Sequence, residues 1–259
     1  MIDFHTHILP NIDDGSKSVE ETFNLIKEAE RVGFDKIIST SHYMEDYYEV
    51  ENKDRKLWTD ALNQKLPEQN IDVKIYLGNE IYITENILDL LKNDKAATLN
   101  NSDYLLFETP LNAEPLNLYE LVFKMLQDNK IPILAHPERY SFIHKNPEML
   151  YDLVEKGVLL QCNFGSFVGQ YGKTAKSIAR DLLYKNMVHF LGSDVHRQNT
   201  IYPRIPEAIE EIKKIAGEEK LKELTETNPE LVLQNKSINI EEPKHLKMSL
   251  SQKIKMKFK

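Results

Sequence analysis

Two histidines one residue apart, His5 and His7, close the opening run Met1-Ile-Asp-Phe, and an Asp-Asp-Gly sequence follows at 13–15. Alternate side chains of an extended chain share a face, so both imidazoles point the same way. Asp14 stands close behind them in a turn. Imidazole nitrogen and carboxylate oxygen together suit a divalent cation better than a nucleophilic mechanism. The same residue types recur at matching places. Apolar runs at 36–40, 73–77, 104–107, 131–135 and 188–191 read as strands and lead into His42, Glu80, Glu108, His136, and the pair Asp194 and His196. In parallel α/β barrels this end of the strands is where chemistry is assembled. His144, His189 and His245 fall elsewhere and read as structural or exposed.

These candidate ligands exceed what one ion needs, about four to six. Two or three divalent ions are expected, with Glu80 as a bridging carboxylate. Nitrogen and oxygen donors without a thiolate suit manganese, iron or zinc. Ions about 3.5–4 Å apart are the usual apparatus for phosphate esters, supplying hydroxide at neutral pH and neutralising phosphoryl oxygens. Amidohydrolases also combine HxH with a barrel, but they add a lysine or carbamate bridge, and no Lys stands at a strand end here. A cysteine phosphatase needs an arginine six residues after its thiolate. Val168 occupies that place relative to Cys162, which reads as a core residue. No GxxxxGK[ST] or GxGxxG loop is present, and Gly192-Ser193-Asp194 does not fit a nucleophile elbow.

Strand and helix must alternate to position these groups. A helix is expected from Val19, with Ser18 and Glu21 as a capping box and Gly33 as its stop. Further helices are expected between 43 and 66, from Thr84, over 118–129, after Asn146-Pro147, over 174–185, over 206–216 and from Asn228-Pro229. With a further strand at 158–162, seven βα units without a composition break indicate one barrel-like α/β domain.

The 259 residues are 41 % hydrophobic and 29 % charged, ordinary for a globular protein. Neither a membrane span nor a signal peptide is expected. The single cysteine excludes internal disulfides and fits a reducing cytoplasm. A net charge of −8 argues against nucleic acid as partner. Residues 244–259 hold six lysines and no acid, so an acidic body ends in a basic tail. The expected division is a catalytic domain at 1–240 and a tail at 241–259. Near anionic lipid each Lys adds on the order of 1 kcal/mol, so weak contact with a membrane surface is an expectation for this tail.

The motifs D-F-H-T-H at 3–7, D-D-G at 13–15, S-T-S-H at 39–42, G-N-E-I-Y at 78–82, A-H-P-E-R-Y at 135–140 and G-S-D-V-H at 192–196, with Glu108, resemble the PHP (polymerase and histidinol phosphatase) superfamily. More closely, they are similar to its manganese-dependent bacterial protein-tyrosine phosphatases of capsule and exopolysaccharide clusters. The resemblance implies a distorted (β/α)7 barrel with three metals. It assigns His5, His7, Glu80 and Asp194 to one ion, Asp14, His42 and His196 to a second, and Glu80, Glu108 and His136 to a third. It implies phosphotyrosine as substrate, on a membrane-associated bacterial tyrosine kinase. Arg139 matches the family's phosphate-binding arginine. A second family arginine aligns with Ile201, leaving Arg197 or Arg204 to replace it. His196 or His42 is the expected proton donor to the leaving oxygen. Histidinol-phosphate phosphatase and a non-catalytic regulatory PHP module are the alternatives, and the full ligand set argues against the latter.

Overall fold

The computed structural model describes residues 1–244. Its strands are β1 (Ile2–Thr6), β2 (Lys36–Ser39), β3 (His42–Tyr43), β4 (Lys74–Leu77), β5 (Glu80–Tyr82), β6 (Tyr104–Glu108), β7 (Ile131–Ala135), β8 (Leu159–Asn163) and β9 (Phe190–Gly192). Every pairing is parallel, in the orders β1-β2-β4 and β3-β5-β6-β7-β8-β9.

The two sheets are one curled surface with two interruptions. β2 continues through Thr40-Ser41 into β3, and β4 through Gly78-Asn79 into β5. Backbone bonds carry across the breaks, Thr40 N–H to Thr6 C=O at 2.9 Å and Glu80 N–H to Thr40 C=O at 2.9 Å. The end of β9 meets β1, with Asp194 N–H donating to His5 C=O at 2.8 Å and His7 N–H to Val195 C=O at 3.0 Å. Seven parallel staves in one domain result, the distorted (β/α)7 barrel that the motifs imply.

Parallel strands covered on both faces read as near-continuous apolar runs, and Leu105, Leu106 and Phe107 are all fully buried. Ile2, Phe4, Ile38, Tyr104, Leu106, Ile133, Ala135, Leu159 and Phe190 meet inside the barrel, and Val232 and Leu233 of the helix Asn228–Leu233 close this cluster. Phe4 and Phe190 stack there at 4.1 Å. The alternate strand residues pack outward against the helices.

Several boundaries move from the expected ones. β1 and β6 run on to include His5 and Glu108. Ser18 Oγ accepts the Glu21 N–H at 3.1 Å, but the Glu21 carboxylate takes the Lys17 N–H instead of closing a capping box on Ser18. Asn146-Pro147 forms a turn ahead of the helix Met149–Glu155 rather than its cap. The stretch expected at 174–185 is helical over Gly172–Tyr184. Of the expected tail, residues 241–244 are described, and Lys244 is bound through Lys244 N–H to Lys185 C=O at 2.9 Å and Tyr151 O–H to Lys244 C=O at 2.9 Å. The question of strand or helix at 245–259 lies outside the described residues.

His189 is buried at the start of the last stave, its Nδ1 accepting the Leu160 N–H at 3.0 Å. Burial, with Lys220 nearby, pushes the imidazole down to about 4. Between that value and about 6.5 the unfolded chain binds more protons than the folded one. Stability present above about pH 6.5 is therefore lost as pH falls through about 4. Acidifying from pH 7.5 to 4.5 should cost the wild type about 2 kcal/mol more than His189→Gln. Urea unfolding of both proteins at the two pH values checks this, and equal losses would contradict it.

Candidate metal centre

The interruptions of the staves build the site. His42 and Glu80 each open a short strand just past a break, and pair with each other in register. The breaks are held by side chains: Asn79 Nδ2 donates to Ser41 C=O at 2.7 Å, and buried Arg55 donates to Gly78 C=O at 3.0 Å. At two other stave ends the chain turns through left-handed backbone, with φ of 34° at His136 and 54° at Asp194. That conformation is costly for residues with a Cβ and recurs at functional sites. Two glycines leave room for the histidines. A Cβ on Gly192 would lie 2.5 Å from His5 Cβ, and one on Gly15 would lie 2.6 Å from His7 Cβ.

Glu80 is the centre of the constellation and is fully buried. Its Oε2 lies 3.1 Å from His5 Nε2, 3.3 Å from His7 Nε2 and 3.1 Å from His42 Nδ1, and its Oε1 lies 2.8 Å from His136 Nε2. Asp194 Oδ1 is 3.7, 3.5 and 3.6 Å from His5, His7 and His196. Asp14 Oδ1 is 3.3 Å from His196 Nε2 and 3.6 Å from His42 Nε2. Glu108 Oε1 is 2.9 Å from His42 Nδ1. All nine residues singled out in the sequence thus meet in one bowl at the C-terminal ends of the staves.

The bowl is arranged for a cation. Asp194 Oδ2 accepts Asn163 Nδ2 at 2.7 Å, Asn163 Oδ1 accepts Gln161 Nε2 at 2.9 Å, and Gln161 Oε1 is 2.8 Å from His5 Nδ1. This relay fixes the amide orientations and places the proton on His5 Nδ1. Asp13 Oδ2, 2.8 Å from His7 Nδ1, does the same for His7. Two Nε2 atoms then face each other at 3.0 Å beside carboxylate oxygens. His42 Nδ1 is buried without a hydrogen bond, although carboxylate oxygens lie 2.9 and 3.1 Å away at unsuitable angles. Burial opposes a charged His5, yet Glu80 and Asp194 push it up to about 9. A position that demands positive charge among unshared lone pairs fits a divalent ion.

Three overlapping donor groups lie within 4.8 Å: His7, Asp14, His42 and His196; His5, His7 and Glu80; and His42, Glu80 and Glu108. Set beside the implied division, His7 joins the Asp14, His42 and His196 group as well as that of His5 and Glu80, Asp194 is not in the latter group, and His42 stands where His136 was expected beside Glu80 and Glu108.

Of the arginines, Arg139 lines the cleft, its Nη1 2.5 Å from Asp194 Oδ2 and its guanidinium 4.4 Å from the centroid of the Tyr171 ring. Arg197 lines an adjoining lobe and is tied to the Gly15 and His196 carbonyls. Arg204 lines neither; it donates to Val168 C=O at 2.8 Å and pairs with Glu207. Ile201 is buried core. Cys162 is also buried, away from the bowl, and burial pushes its thiol well up.

The family model described as "Capsular polysaccharide synthesis, CpsB/CapC" matches residues 1–234. The chain belongs to the CpsB/CapC family. It is 35 % identical over 247 residues to tyrosine-protein phosphatase YwqE of Bacillus subtilis (strain 168), covering 95 % of this chain and 97 % of that one. It is 31 % identical to tyrosine-protein phosphatase CpsB of Streptococcus pneumoniae, covering 92 % and 100 %. A crystal structure from work on YwqE and CpsB, described as metal-dependent tyrosine phosphatases, superposes with a TM-score of 0.89 at 34 % identity, covering 96 % of this chain and 100 % of that one. Histidinol phosphate phosphatase of Lactococcus lactis shares the fold at a TM-score of 0.56 and 18 % identity, covering 83 % and 93 %. No helix among the described residues is long and apolar enough to cross a membrane.

Within this CpsB/CapC member, Asp13, Gln161 and Asn163 escape a reading of the sequence. Asp13 is adjacent to the residue chosen as ligand, and only its burial, against the half-exposed Asp14 carboxylate, separates the two roles. Because Asp13 also accepts the His42 and Gly15 N–H groups, at 2.8 and 2.9 Å, Asp13→Ala should weaken metal affinity. Loss of such an orienting partner costs about 10–100-fold. Competition against a fluorescent chelator measures it, and unchanged affinity would refute the orienting role.

Proposed function

We propose that this chain is a metal-dependent phosphatase that hydrolyses protein phosphotyrosine. The observation that carries the reading is the Glu80 carboxylate among four imidazoles, in a family whose relatives are named tyrosine-protein phosphatases. Two or three divalent ions, manganese first and iron or zinc as alternatives, would be held by His5, His7, Asp14, His42, Glu80, Glu108, His136, Asp194 and His196. When bound, such ions supply hydroxide at neutral pH and neutralise phosphoryl oxygens.

The chain's own groups do the rest. Arg139 is held by Asp194, against which burial works, so that it stays more firmly protonated than usual and faces the cleft. There it binds phosphoryl oxygens and stabilises charge developing on them. Where one of these two imidazoles is left free of metal, His196, its side chain 27 % exposed at the cleft against 14 % for His42, is the better placed of the two candidate proton donors to a leaving tyrosinate. Arg197, from the adjoining lobe, is the remaining candidate for a second anion contact, and the Arg204 contacts favour a structural role.

The substrate we infer is a membrane-associated bacterial tyrosine kinase acting in capsule or exopolysaccharide synthesis, met from the cytoplasm. Residues 1–240 would form the catalytic domain, and the basic residues 241–259 would touch anionic lipid weakly. Vesicle co-sedimentation should fall when the chain ends at Pro243 and when salt is raised, whereas equal sedimentation of both forms would refute lipid contact. Assays on a phosphotyrosyl peptide and on histidinol phosphate with added manganese test the main reading. Faster turnover of histidinol phosphate would favour the alternative activity, and no turnover of either would favour a regulatory module.

A further inference from the structure

One wall of the cleft is apolar and has no part in holding ions. Met44, Tyr48, Tyr82 and Leu111 line it, and His136, Arg139, Asp194 and His196 line the same cleft, in a volume of about 220 Å³. Met44 and Tyr48 are the two ends of a tight turn closed by reciprocal backbone bonds, Met44 N–H to Tyr48 C=O at 3.0 Å and Tyr48 N–H to Met44 C=O at 2.8 Å. Asp46 turns the chain at φ 67°, and its N–H donates to Glu49 at 2.8 Å. Thr84 Oγ1 donates to Glu45 Oε2 at 3.2 Å, tying the turn to the loop after β5. The Tyr48 ring lies nearly parallel to His42, 15° apart with centroids at 5.8 Å. The Met44–Tyr48 part of the wall is therefore held by the protein's own bonds.

In a cleft of about 220 Å³, a phosphate monoester seated with its phosphoryl group toward the imidazoles and Arg139 has its alcohol portion within reach of these apolar side chains. A flat ring covers Met44, Tyr48, Tyr82 and Leu111, whereas a short alkyl chain leaves them wet. We infer that the Met44–Tyr48 turn, with Tyr82 and Leu111, reads the ring of the ester, and that Tyr48 sets selectivity for aryl over alkyl phosphates. This rests on the reading of the site as a phosphoesterase. Intrinsic reactivity also favours aryl esters, because phenolates leave more easily than alkoxides. The informative quantity is accordingly the change in preference between wild type and variant, from which leaving-group chemistry cancels.

The test uses the manganese-loaded full chain and its Tyr48→Ala, Tyr48→Phe and Leu111→Ala variants. Calorimetry gives the dissociation constants of phenylphosphonate and methylphosphonate, and kcat/KM is compared for phosphotyrosyl and phosphoseryl forms of one peptide. Wild type should bind phenylphosphonate roughly tenfold more tightly than methylphosphonate, a difference of about 1.4 kcal/mol. Tyr48→Ala should shrink that preference to within about twofold and reduce the peptide preference by the same factor, while Tyr48→Phe keeps both. Leu111 is itself 39 % exposed, so Leu111→Ala guards against disturbance of His42 and should lose part of the preference. Unchanged phosphonate preference in both alanine variants overturns the inference and leaves the phosphatase reading standing. A wild type that binds phosphonates but turns over neither peptide overturns the phosphatase reading, and the inference with it.

Discussion

Glu80→Ala is expected to lose most of its bound metal and at least on the order of a thousandfold in turnover, since losing an orienting partner alone costs about 10–100-fold. Its two oxygens face four imidazoles, whereas Asp194 reaches only His5 and His7 of these four and Glu108 only His42. Removal leaves a buried cation site short of negative charge and takes a donor oxygen from any ion retained there. Metal analysis by mass spectrometry together with phosphotyrosyl-peptide turnover checks both parts. Wild-type metal content in Glu80→Ala would mean that the ions are held elsewhere.

Arg139→Ala should behave differently, keeping metal near the wild-type content while turnover falls about 10²–10³-fold, the usual loss for one donor to developing charge. Asp194 retains its bond from Asn163 at 2.7 Å, and burial notwithstanding, the nearby His5 holds that carboxylate well below the usual range, with Arg139 adding to the effect. Arg139→Lys should recover little, because an ammonium cannot reproduce the planar fork that bonds Asp194 and lies over Tyr171. If Arg139→Ala loses metal as readily as Glu80→Ala, its role is to hold Asp194 and not to bind phosphate.

The candidate donors were legible because a parallel barrel sends one end of every strand to a common rim. A His, Asp or Glu after each apolar run is then a spatial cluster in advance of any structure. The pairing of His5 with Gln161, 156 residues apart, is of another kind. Nothing at either position marks the partner, since it is set by which staves become neighbours. The interruptions at Thr40-Ser41 and Gly78-Asn79 were equally hidden, because local propensity says nothing about a strand that leaves one pairing and resumes another. They matter, since His42 and Glu80 stand just beyond them. Arg204 shows the opposite failure. It is near the Asp194–His196 loop in sequence, but the segment folds back and takes its guanidinium to Val168 C=O. The aromatic wall went unread because Tyr48 and Tyr82 look like ordinary amphipathic surface residues until the Met44–Tyr48 turn and the end of β5 bring them to one cleft.

The most direct test of the central claim is a titration. The full chain is stripped with a chelator, dialysed, and returned to activity by stepwise addition of manganese while phosphotyrosyl-peptide hydrolysis and bound metal are followed together. The stripped protein should show no turnover, and recovery should track binding, saturating at two or three ions per chain. Full turnover by protein verified to be free of metal would contradict it.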